Sequence, residues 1–247
     1  MYFAYIWRQL HLTENMIGII VQLAISWGLV WLIEKKDLSV LGLRPSKRRL
    51  IDFFAFFIVT AVFCSLGFVL KMYFGNQQWQ LNTQLSLALV SNGIWWNIKS
   101  VLFEELIFRG AMLYLLLNKI GATKAILLSA AGFGIYHWFS LGVFGNPMAM
   151  VMIFFITGTM GLLLAYGFTK SFSMYTPIGI HLGWNLTQIF VFSQGPIGKG
   201  IFIPTSAEAF RTDSYLIFFV VTFLPIMLAL AVNYWIIRKH NSMVNTI

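Results

Sequence analysis

Seven apolar runs, each about long enough to cross a bilayer as a helix, constrain this chain more than any other feature. They cover roughly residues 15–33, 51–74, 97–118, 125–144, 148–168, 174–193 and 214–237. The third is the hardest to bound. From Thr83 to Asn118 its one strong interruption lies around Asn97 and Lys99. It reads as one long tilted helix, or as a short interfacial helix followed by a span, which would make eight elements. With 59% hydrophobic and 10% charged residues over 247 positions, a soluble domain could not hide so much apolar surface. The expected fold is all-α: a polytopic transmembrane helical bundle forming a single domain, residues 1–247, in the cell membrane.

The charges agree with that reading. A net charge of +9 raises nucleic acid as a partner, but the basic residues fall mostly between the apolar runs, which is a topology signal instead. Lys35, Lys36, Arg44, Lys47, Arg48 and Arg49 separate the first two runs, and no charge lies in "GNQQWQLNTQ" after the second. Lys119 and Lys124 follow the third run, "GNP" after the fourth is neutral, and Lys170 follows the fifth. In the 194–213 loop Lys199, Glu208, Arg211 and Asp213 cancel, and Arg238 and Lys239 follow the seventh run. Basic and neutral loops alternate, so the expected orientation is N-terminus outside and C-terminus inside. The opening "MYFAYIWRQLHLTEN" reads as an aromatic lead-in to the first span and not as a cleavable signal. "RPSKRR" reads as a cytosolic anchor with a pull toward anionic lipid.

Against this background a few ionisable residues stand out. Glu104, Glu105 and Arg109 lie in "FEELIFRG" of the third run, His137 ends "FGIYH" in the fourth, and His181 and Asn185 lie in "HLGWN" of the sixth. A charge at the bilayer centre costs roughly 2.5–3.5 kcal/mol on insertion scales. Glu105 and Arg109 are four apart and share a helix face, so they can pair. Glu104 is turned about 100° away, toward Ile107 and Phe108. That suggests a division in which Arg109 neutralises Glu105 and Glu104 is left for general-base chemistry in an apolar cavity. Phe133 and His137 are four apart, as are His181 and Asn185. Lys71 and Lys99 lie nearer run ends, where they can snorkel. A kink at Pro177 would bring His181 level with Glu104 and His137.

Packing offers a plainer account of each feature alone. A buried Glu–Arg pair is commonly structural, and intramembrane His and Asn often hold helices together. Gly158 with Gly161, and Gly179 with Gly183, read as close-packing sites. The three clusters together outweigh the packing account. Two histidines and a glutamate could bind zinc, but the paired HExxH of zincins is absent. There is no GxSxG, and Cys64 has no histidine at helical spacing, so it reads as a small buried hydrophobe.

"EELIFR", "FGIYH" and "HLGWN", in this order on three apolar runs, resemble the EExxxR, FxxxH and HxxxN motifs of the CPBP family. This is the CAAX protease and bacteriocin-processing family, also called Abi, which includes the type II prenyl-protein endopeptidases. The resemblance covers about residues 97–190. It implies an intramembrane endopeptidase in which Glu104 activates water with help from His137, and His181 and Asn185 stabilise the oxyanion. Arg109 would hold Glu105, with Phe133 as the supporting aromatic of its motif. The family has been described as metallo- and as glutamate-type. The glutamate-type reading, with no metal and no cofactor, is the expectation here, and zinc is the alternative.

The expected partners are the lipid bilayer and a peptide or protein substrate at the membrane, such as a leader, pheromone or bacteriocin precursor in a bacterial plasma membrane. No nucleic acid is expected, and neither prenyl recognition nor an oligomeric state is indicated. Two other readings use the same residues. One is a non-catalytic immunity protein or membrane scaffold. The other is a small proton-coupled carrier, which the lack of an internal repeat disfavours.

Overall fold

The computed structural model describes residues 2–75, 77–206 and 210–239, with only the helical backbone for 2–16. Among these residues the order is α1 (Tyr2–Glu34), a 3-10 turn (Leu38–Leu41), α2 (Lys47–Phe74), β1 (Trp79–Leu81), α3 (Leu87–Arg109), α4 (Ala111–Ile120), α5 (Ala122–Ser140), α6 (Pro147–Ser171), α7 (Tyr175–Asn185), a π-helical stretch (Leu186–Val191), β2 (Phe202–Pro204) and α8 (Tyr215–Lys239). Helices therefore occupy all seven apolar runs. The third run is split, so eight α-helices are present among the described residues. Windows in α1, α2, α6 and α8 are long and apolar enough to cross a membrane. Their outer faces carry large exposed apolar side chains, among them Ile20 and Leu32, Phe54 and Ile58, Phe155, and Phe219. So much exposed apolar surface on helices of this length fits a lipid environment.

The chain packs as two compact units, and helices α2, α3, α7 and α8 each contribute to both. The first comprises Met1–Asp52, Leu102–Ile178 and Tyr234–Ile247. Its core gathers Val30, Leu41, Leu113, Ala165, Phe168 and Met174. Asp37 caps the 3-10 turn by accepting the Ser39 N–H at 2.7 Å, and Gly42 closes it with φ 64°. The Met174 N–H donates to the Leu41 carbonyl at 3.1 Å, tying the start of α7 to this turn. Asn146 caps α6 by accepting the Ala149 N–H at 3.2 Å, with Pro147 at the first helical position.

The third run breaks at Gly110, later than Asn97 and Lys99 suggested. A Cβ there would run into the Leu106 carbonyl oxygen, so the turn between α3 and α4 needs glycine. Ser129 of α5 donates to the Phe108 carbonyl at 2.8 Å, close to this helix end, where carbonyls lose their intrahelical partners. Lys99 corrects another expectation. It lies inside α3 and is 2% exposed, with its ammonium 5.9 Å from the Trp95 ring centre, so it does not snorkel from a helix end.

The second unit comprises Phe53–Val101 and Gly179–Asn233. Here α7 meets α2 backbone to backbone. A Cβ on Gly179 would stand 2.6 Å from the Phe53 carbonyl oxygen, and one on Gly183 2.5 Å from that of Phe57. The Asn233 amide of α8 donates to Thr60 of α2 at 3.0 Å, and both residues are fully buried. The unit also contains a feature outside the all-α expectation, the antiparallel ribbon of β1 and β2, in register Trp79↔Pro204, Gln80↔Ile203 and Leu81↔Phe202. Phe68, Trp79, Phe192 and Phe202 pack under it, with the Phe68 and Phe192 rings stacked at 4.0 Å.

Candidate active site

The last two turns of α3 carry Glu104 and Glu105, in the first unit. Glu105 and Arg109 are both fully buried and joined at 3.1 Å from Nη1 to Oε1. Nη2 of Arg109 also donates to the Gly161 carbonyl of α6 at 3.4 Å. Cζ of the guanidinium lies over the Phe133 ring, 4.2 Å from its centre. A buried guanidinium needs this much company: a carboxylate for its charge, a carbonyl for a remaining N–H, and an aromatic face.

Glu104 faces α5. Its Oε2 stands 3.8 Å from Nε2 of His137, and the two side chains are 12% and 14% exposed. Nδ1 of His137 lies 2.8 Å from the Phe133 carbonyl. A carbonyl oxygen only accepts, so Nδ1 carries a proton, and in the neutral imidazole Nε2 faces Glu104 with its lone pair. Phe133 thus acts twice. Its ring supports Arg109 and meets the imidazole edge-on at 4.5 Å, and its carbonyl sets the histidine tautomer. This gives a physical reason for a phenylalanine four residues before the histidine. Phe108 and Tyr136 complete an aromatic wall, at 5.2 Å from Phe133 and 5.4 Å from His137 respectively.

His181 and Asn185 lie in the second unit, on the part of α7 that follows Ile178. Two positions from Gly179 and Gly183 respectively, each is turned about 200° from the glycine face that meets α2. The Asn185 amide donates to His181 Nε2 at 3.2 Å, so this nitrogen accepts and Nδ1 carries the ring proton. The helix then widens into the π-helical stretch Leu186–Val191, a form that often marks functional positions. Trp184 and Gln188 are hydrogen-bonded at 2.8 Å across this change. Pro177 is the third residue of α7, in the first turn, where a missing N–H breaks no helical bond. The irregularity of the sixth run therefore lies after Asn185 and not at Pro177.

Glu104, Glu105, Arg109, Phe133 and His137 come together in the first unit, and His181 pairs with Asn185 in the second. Sequence reasoning missed Ser129 and the Gly161 carbonyl, which hold the acid-bearing helix end. Neither leaves a signal beyond small residues in an apolar helix. Glu104 and His137 are also groups that zinc accepts. A histidine that gives its Nδ1–H to a carbonyl presents Nε2 equally well to a metal or to a water proton. Glu105, held by Arg109, is committed elsewhere.

No curated protein and no solved structure matches the chain significantly. A protein-family model described as "Type II CAAX prenyl endopeptidase Rce1-like" matches residues 86–187, which span all three motifs. By the motifs and by this match, the core of the chain resembles the type II CAAX prenyl endopeptidases, a family of intramembrane proteases.

Proposed function

We propose that this protein is an intramembrane endopeptidase of glutamate type, acting on a small peptide or membrane-associated precursor. The observation that carries the reading is the Glu104–His137 pair, 3.8 Å apart, with the imidazole tautomer set by the Phe133 carbonyl. This separation is too long for a direct hydrogen bond, and two acceptors so placed can share one water. Glu104 would take a proton from that water while Nε2 of His137 accepts its other O–H. The water oxygen would attack the peptide carbonyl carbon. Glu104 would pass that proton to the leaving nitrogen as the C–N bond breaks, giving an amine and a carboxylic acid that still carries the water's other proton.

The resemblance gives His181 and Asn185 the oxyanion role. Their hydrogen bond refines it. Nε2 of His181 is occupied as the acceptor of this bond, so the second N–H of the Asn185 amide is the donor offered to the oxyanion, and His181 orients it. Seven crossings with the N-terminus outside remain the proposed topology, with α3 and α4 sharing one of them. Reporter fusions in the basic and neutral loops would test that count.

The decisive experiment compares wild type with Glu104→Gln, each purified in detergent and incubated with host membranes, with new protein N-termini read by mass spectrometry. The reading expects termini produced by wild type alone. Equal termini from both proteins would sink it and favour the immunity or scaffold alternative. Zinc measured on the purified protein separates the subtypes: activity that persists after chelation supports the glutamate type, and activity restored only by zinc overturns it.

A further inference from the structure

The ribbon of β1 and β2 has one occupied outer edge and one open one. Hydrogen bonds from Asn82 N–H to the Ile201 carbonyl (2.8 Å) and from Thr205 N–H to the Gln78 carbonyl (2.9 Å) fix which residues face inward. Given the register, Gln78, Gln80 and Asn82 turn their backbone groups toward β2, and Trp79 and Leu81 turn theirs away from it. On the far side of β2 the Phe202 carbonyl already accepts the Ser193 hydroxyl at 2.6 Å, and Pro204 has no N–H to give. The β1 side has neither protection. Among the described residues nothing hydrogen-bonds to the backbone of Trp79 or Leu81, and Leu81 is 59% exposed.

An open edge of alternating N–H and C=O groups is complementary to one kind of partner, an extended polypeptide backbone. The ribbon is also tied to the helix that carries His181 and Asn185. The Ile201 N–H donates to the Phe190 carbonyl at 2.9 Å, and Trp79 Nε1 donates to that of Phe192 at 3.2 Å, both at the end of the π-helical stretch. Chain bound along β1 is therefore anchored to the same unit as this pair. We propose that the β1 edge captures an extended segment of the peptide substrate as an added strand, through the outward backbone groups of Trp79 and Leu81. The proposal rests on the endopeptidase reading for calling the occupant a substrate; the binding itself is measured without cleavage.

The test uses the full-length Glu104→Gln protein in detergent and a fluorescein-labelled dodecapeptide of alternating threonine and alanine, read by fluorescence anisotropy. Leu81→Pro removes one outward N–H and leaves the inward ladder intact. It is expected to weaken binding about tenfold, the effect of one lost hydrogen bond. Leu81→Ala keeps that N–H and should weaken binding less. Should Leu81→Pro melt earlier than its parent, the test moves to the peptide. Methylating the peptide nitrogens one at a time should then weaken binding at every second residue only. No binding to the parent protein, equal effects of Leu81→Pro and Leu81→Ala, or N-methylation without a period of two would each overturn the proposal. So would a concentration-dependent dimer that Leu81→Pro abolishes, which would assign the edge to a second copy of the chain. Failure of the endopeptidase reading shows separately, as cleavage that survives Glu104→Gln.

Discussion

Arg109 follows Glu105 by one helical turn on α3, and the two fully buried side chains meet at 3.1 Å. Each is costly to bury and each compensates the other. Removing one partner should therefore hurt more than removing both. Glu105→Gln or Arg109→Met alone leaves an uncompensated buried charge and should cost about 3–5 kcal/mol. The double variant Glu105→Gln/Arg109→Met should melt above either single one, and thermal unfolding in detergent measures it. Melting of the double variant below both singles would show that the pair contributes more than mutual neutralisation.

Phe133 links that pair to His137, the imidazole beside the proposed general base Glu104. Phe133→Leu keeps the carbonyl that receives the His137 Nδ1–H but loses the ring under Arg109, 4.2 Å away. A desolvated cation–π contact is worth on the order of 1–2 kcal/mol, so cleavage should fall about tenfold. His137→Ala removes the imidazole and should lower it about a hundredfold or more. The rates of the two variants on one identified peptide check this order. Equal losses would mean that the ring, and not only the carbonyl, is required to place the imidazole.

What could be read in the sequence follows from the range of the forces involved. Apolar runs locate the helices because burial in lipid is decided run by run. Spacing of four anticipates the contact of Glu105 with Arg109 and of His181 with Asn185, since helix geometry is local. The break at Gly110 was out of reach, because Ser129 meets the Phe108 carbonyl from another helix. Lys99 is 2% exposed inside α3, a burial decided by how the helix packs and not by local spacing. The ribbon pairs Trp79–Leu81 with Phe202–Pro204, and three-residue strands so far apart carry no usable periodicity. The 3.8 Å approach of Glu104 and His137 likewise depends on how α3 packs on α5.

Asp37 makes the stability of the 3-10 turn after α1 depend on acid. The Ser39 hydroxyl and backbone N–H, and then Arg44, hold its carboxyl below the ordinary carboxylate range. A group whose folded value is depressed stabilises the fold above its unfolded value, near about 3.9, and loses that contribution as pH falls through the folded value. Protection of the Ser39 amide against hydrogen exchange, corrected for intrinsic rates, should be flat above about pH 4 and fall in more acidic solution. Asp37→Asn should remove the acid step. A step of the same size in Asp37→Asn would assign it to another group.

The glycines of α7 set how closely it approaches α2. A Cβ at Gly183 would stand 2.5 Å from the Phe57 carbonyl oxygen, a rigid backbone atom, whereas one at Gly158 meets nothing nearer than the Ala130 carbonyl oxygen at 3.7 Å. Gly183→Ala must push α7 away from α2 and should cost about 1–3 kcal/mol, as overpacking does. Gly158→Ala has ordinary contact distance and should be neutral or slightly stabilising, because alanine favours the helix. The activities should part in the same way. Gly183 is two residues from both His181 and Asn185, so a displaced α7 carries that pair with it, and Gly183→Ala should lose cleavage even at temperatures where it remains folded. Melting curves and peptide cleavage rates for the two variants make the comparison. Wild-type cleavage by Gly183→Ala would show that the approach of α7 to α2 does not position His181 and Asn185 for the reaction.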